Sequence, residues 1–583
     1  MSATTSAVPR SAIMNFVRRL HFYIGLFIAP FIFIAALTGT LYVLTPQFEN
    51  WFYHSALTVQ SEGEAKPLAD QIAAARSRVG EQQRIYAIRP APGPNDTTRV
   101  QFVEPDLGAS KSRSVFVDPY TLRITGDMPV YGTTGVLPIR TWLDDLHRGL
   151  LLGDIGRNYS ELAASWLWVA AVGGGILWLT SRRKPKPAQA SAGFSFARHW
   201  HITLGLVLSV GLIFFSITGL TWSQWAGGNI DRWRADLNWL TPQVRTALDG
   251  QSVAVNDPHA DHHAAPSAMA DMDMGDMDMS GMAMPMAASR VPVVQANADN
   301  GDWQRVLQAA RAAGIDAAKV ELRQPKSAGQ AWTVTEVDRH WPSHVDSASI
   351  APNDFHLVDH VRFADFPLVA KLTRWGVDAH MGILFGLPNQ LLLAAFGLGL
   401  CALILMGYRM WWLRRPVVAT QNPVETLLAS WLASPLPAKV VVLLLALGLS
   451  YALPVMGISL LAFVLTDIVR WRSSQRVTQP QTVIAPEQQS PLAIVQLRIA
   501  AKRKELRKFL YAVAVLAAIV ASVMGNAIIG GVIDEYHLTL SHWTVGMYLT
   551  QGFMIVLYTG VFTGLMSIPL WYFFLGESDE QGK

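Results

Sequence analysis

The chain has 583 residues, of which 51% are hydrophobic and only 15% charged, with 47 basic against 43 acidic side chains and a formal net charge of +4. An ordinary globular chain carries about 25% charged residues, so the deficit indicates membrane spans, and the near-balance of charge excludes nucleic acid as a partner. The single cysteine, Cys401, excludes intrachain disulfides, thiolate clusters and CxxC redox pairs. With neither a GxGxxG turn after a strand nor a P-loop, the chemistry must come from histidine, methionine, carboxylate and aromatic residues, or from a cofactor they hold.

A spanning helix needs roughly 20 mostly apolar residues. Eight segments qualify as candidates, at about 22–44, 160–180, 202–225, 384–413, 437–452, 454–470, 508–533 and 545–573. The fifth and sixth are short and divided by Pro454, so one long helix is the competing reading there. Charge favours eight, because Lys and Arg collect on the cytoplasmic side. Arg18 and Arg19, the Arg182–Lys186 run, Arg198, Arg414 and Arg415, Arg470 and Arg472, and the Lys502–Lys508 run then all fall on one side. The expectation is a multi-pass protein of the bacterial inner membrane, in lipid, with both termini cytoplasmic. Span one follows basic residues as a signal peptide would, but its length and its counterpart at span three favour an uncleaved anchor.

Between spans lie two long polar segments that this topology places in the periplasm. The first has strand-like stretches at 84–88, 100–103 and 114–117. The second has a helix at 303–313 and strands near 320–323 and 332–337. Both read as small α+β domains. The chain thus divides into 1–49 (N-terminus and first span), 50–145 (first outer domain), 146–225 (second and third spans), 226–375 (second outer domain), 376–415 (fourth span) and 416–583 (four further spans). The predicted fold class is a membrane all-α bundle, its first four spans a pseudo-twofold duplicated pair, with two small α+β domains outside.

The duplication is visible in the residues. Arg18-Arg19-Leu20-His21-Phe22-Tyr23-Ile24-Gly25-Leu26 parallels Arg198-His199-Trp200-His201-Ile202-Thr203-Leu204-Gly205-Leu206, and Thr38-Gly39 and Thr218-Gly219 follow at the same offset. Trp142, Asp145, His147 and Gly149 likewise match Trp375, Asp378, His380 and Gly382. The repeat pairs His21 with His201 near the cytoplasmic end of the spans and His147 with His380 near the outer face. Equivalent histidines from two pseudo-symmetric halves can meet on the axis between them. A haem b at each depth would receive one imidazole from each half, which makes two haems and four axial ligands. Intramembrane ionisable residues are functional candidates, although interfacial histidines also occur without function. His199 is a rival to His201 but has no partner in the first half.

Asp145 and Asp378 stand two residues before the outer histidines, where a carboxylate could fix the imidazole tautomer or cap a helix. Trp142 and Trp375 shape a cofactor slot or, the favoured reading, belong to the interfacial aromatic belt. Arg18, Arg19 and Arg198 could pair with haem propionates; their positive-inside role also accounts for them.

The halves resemble the PepSY-associated transmembrane family, also called iron-regulated membrane proteins. The carrying residues are Leu146-His147-Arg148-Gly149-Leu150-Leu151-Leu152-Gly153, the Leu20-His21 helix start, and Val117-Asp118-Pro119-Tyr120 with Arg123, over about residues 10–415. The resemblance implies PepSY-like outer domains and an inner-membrane di-haem protein, several relatives of which reduce ferric siderophores on the periplasmic side. The second domain departs from the pattern, with Ile350-Ala351-Pro352-Asn353 in place of Val117-Asp118-Pro119-Tyr120. Nothing carries over to the last four spans, and a third cofactor at His537 and His542 is not expected.

Residues 259–286 form a methionine- and histidine-rich tract that composition marks as disordered. It includes His259, His262, His263, Met272, Met274, Met277, Met279 and Met282. Thioethers select Cu(I) and imidazole suits Cu(II), so this is a candidate copper or silver site; a bare low-complexity loop is the bland reading.

The leading expectation is a haem-dependent metalloreductase that reduces a ferric siderophore or another metal chelate, with quinol or a separate reductase as electron donor. One alternative keeps the electron path and makes Cu(II) the substrate, captured by the methionine tract. Another is a non-enzymatic PepSY-domain sensor or transport accessory.

Overall fold

A computed structural model of the chain describes residues 9–107, 110–132, 135–181, 192–248, 298–413, 426–477, 491–536 and 540–575. The chain forms two units. One comprises Met1–Thr40, Asp145–Ile230 and Ala394–Lys583, and the other Leu41–Asp144 and Asp231–Leu393.

The second unit is built on one antiparallel sheet of eight strands. They are β1 (Ile85–Arg89), β2 (Thr98–Phe102), β3 (Lys111–Val117), β4 (Ile124–Tyr131), β5 (Val320–Arg323), β6 (Trp332–Glu336), β7 (Ser347–Ile350) and β8 (Leu357–Val361). Their order is β4-β3-β2-β1-β5-β6-β7-β8. Each polar segment thus supplies a four-stranded meander preceded by a helix, Leu68–Val79 or Asn300–Ala312. Instead of closing two separate domains, the meanders join through β1 and β5, where Ile88 pairs with Leu322. The reason is shared burial. Leu68, Ile72 and Ala75 recur at helical spacing on one helix, and Trp303, Val306 and Ala310 on the other. Both stripes enter one core with Ile88, Val100, Leu322 and Val334. Joining β1 to β5 also removes two exposed strand edges.

A buried ion cluster crosses that seam. Arg89 donates from Nε to Glu321 Oε2 at 2.8 Å and Arg323 donates to Oε1 at 2.7 Å. Burial opposes ionisation of Glu321, but the Arg323 and Arg89 guanidiniums outweigh it and hold the carboxyl below the ordinary glutamate value. The Val117–Tyr120 stretch forms the β3–β4 turn, where Asp118 accepts from Tyr120 N at 2.9 Å and Thr121 Oγ1 at 2.6 Å. Ile350–Asn353 occupies the equivalent place between β7 and β8.

The other unit is helical. Among the described residues, six helices are long and apolar enough to cross a membrane: Ala12–Val43, Gly153–Ser181, Ala192–Thr221, Leu387–Leu413, Leu506–Gly530 and Val545–Gly564. The fifth and sixth expected spans appear as shorter apolar helices, Leu436–Ala452 and Pro454–Val469. Pro454 starts the second of them, where its missing N–H costs nothing. The first span contains a π-helical segment at Ile24–Ile28.

Among the described residues two carboxylates are buried in this unit, and each holds backbone. Glu161 accepts from Trp225 N at 2.9 Å and Ala226 N at 3.1 Å, capping the Trp225–Asp236 helix. Asp467, at the end of the apolar Pro454–Val469 helix, is 1% exposed. It accepts from Tyr23 Oη at 2.5 Å and Leu428 N at 2.6 Å, a structural role.

Candidate functional site

His21 and His201 face each other from two spanning helices. Their ring centroids are 6.3 Å apart and their planes are inclined at 76°. Each ring also abuts the next helix of its own half at a glycine. A Cβ on Gly174 would lie 3.2 Å from His21 Cε1, and one on Gly407 would lie 3.3 Å from His201 Cε1. Any larger residue would push the ring away. Gly174 follows His147 by the same 27 residues that separate Gly407 from His380, a repeat signal that sequence reasoning missed.

His201 Nδ1 lies 3.1 Å from the Leu403 carbonyl. A carbonyl only accepts, so Nδ1 carries the proton and Nε2 keeps a lone pair. His21 Nδ1 is buried against the helix that carries Gly174. A metal–imidazole bond is about 2.0–2.1 Å long, so two rings sharing one ion hold their centres about 6 Å apart. Among the described residues no three His, Cys, Asp or Glu side chains gather as a metal site. A two-imidazole pair of this spacing fits an iron whose other donors come from a porphyrin.

His147 ends an amphipathic helix, Pro138–Gly149, just before the Gly153–Ser181 span. The turn between them is unusual, because Leu150, Leu151 and Gly153 all have positive φ (55°, 59° and 57°). Two consecutive leucines in the left-handed region persist only where surroundings hold them. Tyr159 Oη donates to the His147 carbonyl at 2.5 Å, and Ser160 Oγ to the Arg148 carbonyl at 2.7 Å. The His147 ring lies against Gly39, with a Cβ there 3.1 Å from Cε1. Its Nδ1 is 3.1 Å from Thr38 Oγ1, which donates its own proton to the Ile34 carbonyl at 2.8 Å. Thr38 therefore accepts from Nδ1–H, leaving His147 Nε2 free to ligate. The tautomer-fixing role sought in Asp145 falls to Thr38; Asp145 pairs with Arg148 at 3.1 Å.

His380 ends the matching helix, Leu368–His380, and a turn with positive φ at Gly382 and Gly386 leads into the Leu387–Leu413 span. Asp378 is fully buried; Arg339 Nε donates to its Oδ1 at 2.5 Å and Arg374 Nε lies 3.4 Å from its Oδ2. Both aspartates lie well inside their helices, which removes the capping reading. Burial and the like charge of Arg339 press Arg374 down to about 10, so it stays cationic at neutral pH. Two buried guanidiniums on one carboxylate leave a positive surplus beside His380, suited to an anion. Neither arginine stood out in sequence, because nothing local distinguishes them.

The remaining candidates fall elsewhere. Arg18, Arg198 and His199 are exposed, and Arg19 lies over the Phe22 ring at 5.8 Å. Trp142 is exposed, whereas Trp375 packs on Trp341 and Phe363 at 5.4 and 5.7 Å. The 259–286 tract, with His259, His262, His263 and its methionines, lies outside the described residues, as do Arg182–Lys186, Arg414, Arg415 and His537.

Residues 18–414 match the family described as PepSY-associated TM region. A second family, described as a protein of unknown function (DUF2534), matches residues 499–578. The chain is also similar to "Uncharacterized protein YnaJ" of Escherichia coli K12, O6:H1 and O157:H7. Each is 46% identical over 74 residues, which is 13% of this chain and 87% of the relative.

Proposed function

The chain belongs to the PepSY-associated TM region family, and on that premise we propose that it is a haem b-dependent oxidoreductase of the bacterial inner membrane that reduces a ferric chelate on the outer side. The observation that carries this reading is the His21–His201 pair, two imidazoles from the two halves with centres 6.3 Å apart. Haem iron in such a seat supplies one-electron transfer.

The chain's own residues do the rest. Leu403 and Thr38 keep Nδ1 of His201 and His147 protonated, so that each Nε2 is a ligand. Gly174, Gly407 and Gly39 let the rings lie flush on neighbouring helices, which restricts ring orientation by packing. His147 and His380 are proposed as ligands of a second haem on the strength of the sequence repeat. Arg339 and Arg374 supply cationic charge for carboxylates of the chelate or of the haem. Eight spans with both termini cytoplasmic and a quinol or reductase donor complete the proposal.

The test is a visible spectrum with haem quantitation on the purified protein and on His21→Ala, His201→Ala and His147→Ala. A Soret band that the variants diminish supports the reading. Colourless protein made with ample porphyrin would end it.

A further inference from the structure

Two independent family matches, 18–414 and 499–578, mean that this polypeptide joins two modules. The YnaJ relatives are short chains matched over 87% of their length, and their 74 matched residues approach the length of the second module. We infer that the C-terminal hairpin, Pro491–Tyr536 and Val545–Leu575, is a separable two-helix membrane subunit whose docking surface is the outer wall of the His147 turn. On this account the face takes a chain of YnaJ type, here supplied by fusion.

The packing argues for this surface. Val520, Met524 and Ile528 of the first hairpin helix and Phe562 of the second share one apolar cluster with Leu150, Leu152 and Tyr159. Phe562 meets Phe31 at 6.5 Å between ring centroids, and its helix runs along the Ile24–Ile28 π segment. Leu150 carries a positive φ and is 4% exposed. A non-glycine residue held this way costs about 1–3 kcal/mol and needs its surroundings to hold it. The hairpin supplies that packing, and Tyr159 ties the same cluster to the His147 carbonyl. Between helices in lipid, close packing rather than the hydrophobic effect drives association, so a shape-matched apolar face is what a separate subunit requires. Phe562 is therefore a positioning residue for His147. That last step rests on His147 being a haem ligand; the docking does not.

The experiment uses the full-length protein with a protease site inserted within 478–490. After cleavage in detergent, the C-terminal fragment is expected to co-elute with the core on size exclusion. Phe562→Glu in the cleaved protein should release it, while Phe562→Leu should retain it. In the uncleaved protein Phe562→Glu should shift the electron paramagnetic resonance signal that His147→Ala abolishes and leave unchanged the one that His21→Ala abolishes. Separation of the fragments in the cleaved wild type, which needs no core substitution, overturns the docking. Retention with an unshifted signal in Phe562→Glu overturns the positioning role. Should His147→Ala abolish no haem signal, the haem reading fails, and co-elution alone decides the docking.

Discussion

Gly156 lies directly against the carbonyl of Gly149, so that a Cβ on Gly156 would overlap that oxygen. The contact closes the left-handed turn that carries His147 back onto its own spanning helix. Gly156→Ala should open the turn and destabilise the protein by about 1–3 kcal/mol, with loss of the His147-dependent haem. Gly175, on the same helix with nothing within 4 Å of its Cβ position, is the control. Thermal unfolding and haem content of the two alanine variants are the measurements. Equal behaviour would remove the role assigned to the close approach.

The paired imidazoles predict a specific loss pattern. His21→Ala and His201→Ala should each remove the same haem, and the double variant should remove no more. His147→Ala should remove about half of the total, as expected for one of two bis-imidazole sites. Gly407→Val should mimic His201→Ala, because its nearest neighbour is the ring itself at 3.3 Å. Haem quantitation settles each point; additive losses for His21 and His201 would show that they do not share an iron.

Asp378 is 0% exposed between Arg339 and Arg374. Asp378→Asn leaves two buried guanidiniums without a counter-charge and should cost about 3–5 kcal/mol, whereas a joint Asp378→Leu, Arg339→Leu variant should recover part of that loss. Thermal or chemical unfolding of the three proteins distinguishes them. A neutral Asp378→Asn would mean that solvent reaches the cluster.

Glu49 is 6% exposed, and burial pushes its carboxyl up to about 7 even though Arg140 and Arg99 pull the other way. The unfolded chain ionises this group at about 4.3. The folded form thus holds an extra proton between these values, so the contribution of Glu49 to stability is fully present below about pH 4.3 and is lost as the pH rises through 7. One pKa unit is worth about 1.4 kcal/mol, so the fall is at most about 4 kcal/mol. Glu49→Gln should flatten the stability profile across that window. An unchanged slope would show that Glu49 ionises freely in the folded protein.

Interior strands were easier to read from sequence than edge strands. β1, β2, β3, β5 and β6 were found, to within a few residues, because they alternate and are rich in branched side chains. β4 and β8 were missed. They are the two edges of the sheet, where half-exposed positions blur the alternation and Pro129 is tolerated because one side needs no donor. β7 is too short and small-residued, Ser347–Ile350, to stand out. The Leu68–Val79 helix was missed too, since its stripe of three apolar positions is brief.

The repeat in the chain determined that His21 corresponds to His201 and His147 to His380, because duplicated segments keep residue offsets whatever their surroundings. Composition likewise determined a membrane protein, since apolar spans dilute charge. Which backbone each ring touches was decided only in three dimensions. Thr38, Leu403, Gly174 and Gly407 reach the histidines through helix rotation and packing, and neither is encoded locally. The same holds for the single eight-stranded sheet. Whether two similar meanders stand apart or share a core depends on long-range burial, which no local pattern reports.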